Sequence, residues 1–227
     1  MTALYLSRVR LRRDVPAAAL ARLLVPDDTV ARADASHRLV WALFADTPGR
    51  RRDFLWREEE PGRFMLLSAR PPTDPHDLFQ IENKPFEPAL SPGDRLGFTL
   101  RANPTVDRSS PSRHRSTRHD VVMDLLRQQP ADSRAEARPT VMIQAGRDWL
   151  ARQGQAHGFA PRGDETVDGY DSVRIPRANG AGATFGRLDI SGVLEVTEPD
   201  RFLSALAGGF GRARAYGCGL MLIRRVG

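Results

Sequence analysis

The apolar pattern of this chain changes period repeatedly along its length, and that switching restricts it to layered folds that mix strands with helices. Residues 3–11 (ALYLSRVRL) alternate apolar and polar side chains, the period of a half-buried strand. An alanine- and leucine-rich helix is expected from Pro16 to Val25, with Asp14 as its cap and the Pro-Asp-Asp at 26–28 as its breaker. A second helix is expected from Asp34 to Phe44, where helical spacing places His37, Val40, Trp41 and Phe44 on one face, so His37 is expected to face inward. DFLWREE (53–59) and RFMLLSA (63–69) alternate around Pro61-Gly62 as a hairpin, and DRLGFTLRANP (94–104) supplies a further strand that Pro104 ends.

Strand, helix, strand, strand and strand in that order fit the first part of a ferredoxin-like unit. Residues 105–119 (TVDRSSPSRHRSTRH) lack apolar periodicity and read as a basic loop at a domain boundary. Helices are expected at 120–128 and 146–156, with a polar, proline-marked link between them. Strands are expected at 170–175 and 185–196, joined through PRANGAGAT as a second hairpin. A short helix from Asp200 to Ala207, the stretch GGFGRARAYG and a final strand at 218–226 close the chain. The expected fold class is α+β: two tandem ferredoxin-like (RRM-like) domains, 1–104 and 120–227, separated by the 105–119 loop and ending in a glycine-rich loop.

Composition narrows the function. The 41% of hydrophobic residues never form a run near the ~20 that a membrane span needs, so no membrane partner is expected. Arginines stand at the N-terminus where a signal peptide would be apolar, which leads us to expect a cytoplasmic protein. A single cysteine, Cys218, cannot close an internal disulfide, and five scattered histidines give no zinc spacing. We expect no metal and no cofactor. The net charge is +6, and of 34 basic residues only Lys84 is lysine. Guanidinium groups fork onto phosphates and stack on bases, which suits nucleic acid. A GC-rich genome would raise arginine over lysine as well, but would not by itself make the chain basic.

The stretch Gly208 to Ile223 (GGFGRARAYGCGLMLI) resembles the glycine-rich loop and last strand of the CRISPR-associated RNA-binding superfamily. Together with YLSRVRL (5–11), HRLVWALF (37–44), KPFEPALSPGDRLGFTLRANP (84–104) and FGRLDISGVLEV (185–196), in this order, the chain resembles the CasE subfamily of type I-E systems. The resemblance is weakest over 105–170. It implies two ferredoxin-like domains and a metal-independent endoribonuclease. It also implies the CRISPR repeat RNA hairpin as substrate, and retention with the mature guide RNA (crRNA) among the other type I-E Cascade subunits.

RNA cleavage without metal requires a group that takes the proton of a ribose 2′-hydroxyl and groups that stabilise the extra charge on phosphorus. Histidine titrates near neutrality and suits the first task. An inward histidine on an apolar face is more often a packed one, but the family carries its catalytic histidine on the first helix, and His37 matches that position. Relatives usually have tyrosine three residues earlier; this chain has Asp34. Asp34 can orient the imidazole or cap the helix. The second catalytic group is therefore open among Ser36, Tyr5, Arg8 and Arg38.

Gly208, Gly209, Gly211, Gly217 and Gly219 are expected to let backbone N–H groups approach phosphates, with Arg212 and Arg214 adding charge. By resemblance, Arg174 and Arg177 near the 170–190 hairpin tip reach the RNA stem. Arg113, Arg115 and Arg118 either clamp single-stranded flanks or form a solvated tract. The alternative functions are a non-catalytic RNA-binding structural subunit of the same complex and an unrelated DNA-binding protein.

Overall fold

The computed structural model describes residues 3–12, 24–45, 49–109, 117–175 and 182–226. The expected Pro16–Val25 helix and its Asp14 cap lie almost wholly outside these. Four strands form a first sheet: β1 (Tyr5–Leu11), β2 (Phe54–Glu60), β3 (Arg63–Ser68) and β4 (Phe79–Pro85), in the order β2-β3-β1-β4. All three pairings are antiparallel. Helix α1 (Thr29–Ala42) covers one face, its Leu39 and Val40 packing with Leu43 and Phe44 on Val9, Phe54, Trp56, Phe64 and Leu66.

A second antiparallel sheet is built from β5 (Arg95–Ala102), β8 (Phe159–Pro161), β9 (Thr166–Ile175), β10 (Ala183–Val196) and β11 (Met221–Arg225). Its order is β11-β5-β10-β8, with β9 also paired to β10. Helices α2 (Val121–Leu126), α3 (Arg134–His157) and α4 (Pro199–Gly208) contribute Val122, Trp149, Leu150, Phe202 and Leu206 to the core on one face of this sheet. On β5 the side chains alternate: Leu96, Phe98 and Leu100 are buried in that core, whereas Thr99 and Arg101 bond to the first sheet.

Several expectations need correction. The strand at 94–104, assigned by sequence to the first half, pairs with β10 from Leu188↔Ala102 to Glu195↔Arg95 and belongs to the second sheet. The fourth strand of the first sheet is instead β4, an edge strand whose burial is confined almost to Phe79, so it left little apolar alternation to read. The flanks of the 105–119 loop pair as a small hairpin, β6 (Thr105–Arg108) with β7 (Thr117–Asp120). Helix α3 starts at Arg134 and absorbs the expected proline-marked link; Pro139 falls in its second turn. A proline there forgoes one helical hydrogen bond, and alanines and glutamate around it keep helix propensity high.

The faces of the two sheets meet through Leu55 and Leu67 on one side and Leu220 on the other, joined by Met65, Phe86 and Leu222. Arg101 on β5 donates through Nη1 to the Glu58 carbonyl on β2 at 2.9 Å, and Arg57 donates to Thr99 Oγ1 at 3.2 Å. No described helix is long and apolar enough to cross a membrane.

Helix α1 begins five residues before the sequence-expected start, and its cap is Asp28, whose carboxylate accepts from Ala31 N at 2.8 Å. Asp34 therefore does not cap it; it forms an i,i+4 ion pair with Arg38 at 3.0 Å. Replacing Asp28 by alanine is expected to cost about 1 kcal/mol in urea unfolding. The Asp34→Ala variant is expected to lose less than about 0.5 kcal/mol, and the reverse ranking would restore Asp34 as the cap.

Candidate active site

The glycine-rich stretch after α4 is held in place by the end of β5. Gly219 N donates to the Arg101 carbonyl at 2.7 Å and Arg212 N to the Asn103 carbonyl at 3.2 Å. The Asn103 side chain is itself buried, with Nδ2 donating to the Gly186 carbonyl at 2.7 Å. Two of the segments that carry the resemblance, the end of 84–104 (LRANP) and the glycine-rich loop, are thus hydrogen-bonded to each other. Gly211 shows why glycine is needed here: its φ is +71°, and a Cβ would lie 2.8 Å from the Asn103 carbonyl oxygen. The expectation that these amides face phosphate needs correction for Gly209 and Gly219, whose N–H groups bond to the carbonyls of Ala205 and Arg101.

Within the loop, Arg214–Tyr216 form a single 3₁₀ turn that reaches α1. His37 Nδ1 lies 2.7 Å from the Ala215 carbonyl oxygen. A carbonyl can only accept, so Nδ1 carries the proton, and in the neutral ring Nε2 keeps its lone pair. The Trp56 indole N–H on β2 donates to the same oxygen at 3.1 Å. Gly217 sits beneath this indole with φ +76°; a Cβ would approach the ring to 3.2 Å. The Tyr216 ring packs on His37 with centroids 5.1 Å apart, and Trp41 meets the imidazole edge-on at 6.2 Å. His37 is half-buried rather than inward: Ser36, Leu39, Val40 and Leu43 hold the core side of α1, and His37 and Trp41 flank it on the side of the loop.

Positive charge collects around the same turn. Arg214 donates through Nε to the Gly211 carbonyl at 3.1 Å, and burial followed by the nearby Arg212 lowers its pKa. Burial and then Arg214 lower that of Arg52, just before β2, and its buried Nη1 has no hydrogen-bond partner. Two guanidinium groups that repel each other while partly desolvated are relieved by an anion placed near both. Sequence reasoning picked out Arg214 but missed Arg52, Trp56 and Tyr216. Arg52 carried no signal, being one arginine among many in a run at 50–52.

The other expected residues are placed as follows. Asp34 and Arg38 pair with each other on the flank of α1. Ser36 is 2% exposed and donates to Glu58 Oε1 at 3.1 Å, away from the loop. Tyr5 is half-buried on β1, and Arg8 faces Glu82 at 3.5 Å. Arg118 forks onto Asp107 at 2.7 and 3.1 Å within the β6–β7 hairpin. Arg174 is exposed on β9 opposite Thr184 of β10, and β9 lies beside α1. Arg113, Arg115 and Arg177 lie outside the described residues. Among the described residues no three His, Cys, Asp or Glu side chains gather into a metal-binding group. Cys218 is a free, buried thiol whose pKa burial pushes up to about 12.

A fold of two packed antiparallel sheets with a histidine moored to a glycine-rich loop defines a class that comparison with known proteins makes specific. The family described as CRISPR associated protein matches residues 4–225, and the chain belongs to it. It is 32% identical over 150 residues to the CRISPR-associated endoribonuclease Cse3 of Thermus thermophilus, a match covering 62% of this chain and 60% of that protein. It is 25% identical over 194 residues to the CRISPR system Cascade subunit CasE of Escherichia coli, covering 82% of this chain and 88% of that one. A solved structure of Thermus thermophilus Cse3, bound to an RNA representing a pre-cleavage complex, superposes with a TM-score of 0.67 at 24% identity, over 98% of this chain and 99% of that one. That likeness establishes the fold.

One half-buried acid beneath α1 yields a prediction. Burial raises the Glu58 carboxyl above its ordinary pKa, against the opposing bonds from Gly62 N and Ser36 and the charges of Arg32 and Arg101. The folded state therefore holds this proton more tightly than the unfolded one, and ionisation of Glu58 costs stability as pH rises through the folded pKa. Glu58→Gln keeps an acceptor for Ser36 and Gly62 and removes that cost. Urea unfolding is expected to find the variant more stable than wild type at pH 7.5, with the gap closing as pH falls below the ordinary carboxyl range.

Proposed function

We propose that this chain is a metal-independent endoribonuclease that binds the CRISPR repeat hairpin in precursor RNA and cuts at its 3′ base. It then stays on the mature crRNA as a Cascade subunit. The observation that carries this reading is His37, whose Nδ1–H is spent on Ala215 so that Nε2 is the available base. In the cleavage step the 2′-hydroxyl proton passes to Nε2 and O2′ bonds to phosphorus. The P–O5′ bond breaks, and the 5′-oxygen leaves with a proton drawn from solvent. The products are a 2′,3′-cyclic phosphate and a 5′-hydroxyl. Arg52 and Arg214 supply charge for the phosphate at this centre. Relatives named as a CRISPR endoribonuclease and as a Cascade subunit support the assignment.

We read each sheet as a ferredoxin-like unit: in both, the spatial order runs last, first, third, second strand, once β8 and β9, which both pair with β10, are counted together as the second. The first unit then ends near residue 86 rather than 104. In this reading Arg174 of β9 and Arg177, two residues beyond its end in the sequence, hold the stem by its phosphates, since the deep major groove of A-form RNA resists side-chain readout. Arg118 and Arg212 extend the basic surface, Arg113 and Arg115 add to the charge of the 105–119 stretch, and the loop from Gly209 to Gly219 shapes the floor of the site. A second reading, a non-catalytic RNA-holding subunit, draws on the Asp34–Arg38 pair, which leaves Asp34 occupied and offers no donor to substrate.

Incubating the protein with its host's repeat hairpin in excess EDTA separates the two readings. Wild type is expected to cut and leave a cyclic phosphate. His37→Ala, or a substrate with 2′-deoxyribose at the cut nucleotide, is expected to slow cutting by at least about 10²-fold. Tight binding without any cutting by wild type would favour the holding subunit.

A further inference from the structure

The base at His37 accounts for one proton, but the charge that builds on phosphorus calls for a donor at the same centre, and three of the four expected candidates have partners elsewhere. Ser36 is spent on Glu58, Arg38 on Asp34 and Arg8 on Glu82. Resting on the endonuclease reading above, we propose that Tyr216 is a catalytic residue, its phenol hydroxyl donating a hydrogen bond to a nonbridging oxygen of the phosphate that His37 helps to cleave.

Three observations carry this. Tyr216 lies in the 3₁₀ turn whose Ala215 carbonyl anchors His37, so phenol and imidazole are set by one short piece of backbone. Its ring packs with two others, His37 at 5.1 Å and 34° and Phe185 of β10 at 6.0 Å and 33°. A ring in contact with two others is restricted in orientation before substrate arrives. Its hydroxyl has no hydrogen-bond partner among the described residues, so it is available to donate to a substrate. The adjacent Arg214 and, across from it, Arg52 place two guanidinium groups near the same turn, where a phosphate would be drawn in. A fixed donor in a site of this kind acts where charge develops, and needs no proton transfer of its own.

The experiment compares wild type, Tyr216→Phe and Tyr216→Ala on the repeat hairpin, measuring single-turnover cleavage and the Kd for an uncleavable 2′-deoxy hairpin. The Phe variant keeps the ring against His37 and Phe185, so folding and Kd are expected to stay within about threefold of wild type while cleavage falls by about 10²-fold. Phosphorothioate at one nonbridging position of the cut site is expected to slow wild type more than the Phe variant, because the variant has already lost the contact. Wild-type cleavage by Tyr216→Phe overturns the proposal and leaves the endonuclease reading intact. A Phe variant that loses affinity and rate equally overturns it too, since the hydroxyl would then serve binding alone. A wild type that binds and never cuts removes the endonuclease reading, and this proposal with it.

Discussion

The Ala215 carbonyl oxygen accepts from His37 on α1 and from Trp56 on β2, and through it the second half of the chain positions the candidate base of the first. Each bond adds only about 1 kcal/mol to stability, but their common acceptor does more than hold two elements together. It fixes which imidazole nitrogen carries the proton, and therefore which one is left to accept another. The glycines around it follow from the same need: Gly217 lets the backbone lie against the Trp56 ring, and Gly211 lets it lie against Asn103.

That mooring is sound only because the loop is tied to the second sheet. Arg101 is central to this arrangement. It forks onto Asp189 at 2.9 and 3.0 Å, donates to the Glu58 carbonyl of the first sheet, and receives Gly219 N on its own carbonyl. One strand end thus ties β10, β2 and the loop into one unit. The apolar contact of Leu55 and Leu67 with Leu220 lies at the same junction, so hydrophobic burial and directed hydrogen bonds act on one interface.

The chain announced its elements better than their partners. The hairpin at 53–69, α4, β10 and β11 sit close to where periodicity and turn residues put them, because each buries one face and has a clear stop. Where expectation departed from structure, the missing information was tertiary. Nothing local says that 95–102 pairs with a strand some ninety residues on, nor that β4, mostly exposed at an edge, is a strand at all. The site was legible in part. His37 and Arg214 stood out through resemblance, whereas Tyr216 and Arg52 became visible only when the loop was seen against α1 and β2. Asp34 shows the converse: a residue that invited a role by position is absorbed by an ordinary ion pair one turn away.

Because the acceptor of the His37 proton belongs to the other half of the molecule, the tautomer of that histidine is a readout of docking. A molecule whose two sheets drift apart keeps α1 and its histidine intact, yet its ring is free to exchange tautomers and to turn. In the endonuclease reading the share of molecules holding a poised base then follows the share that are docked, so a perturbation of the interface far from the imidazole acts as a reduction in competent molecules rather than as a change in chemistry.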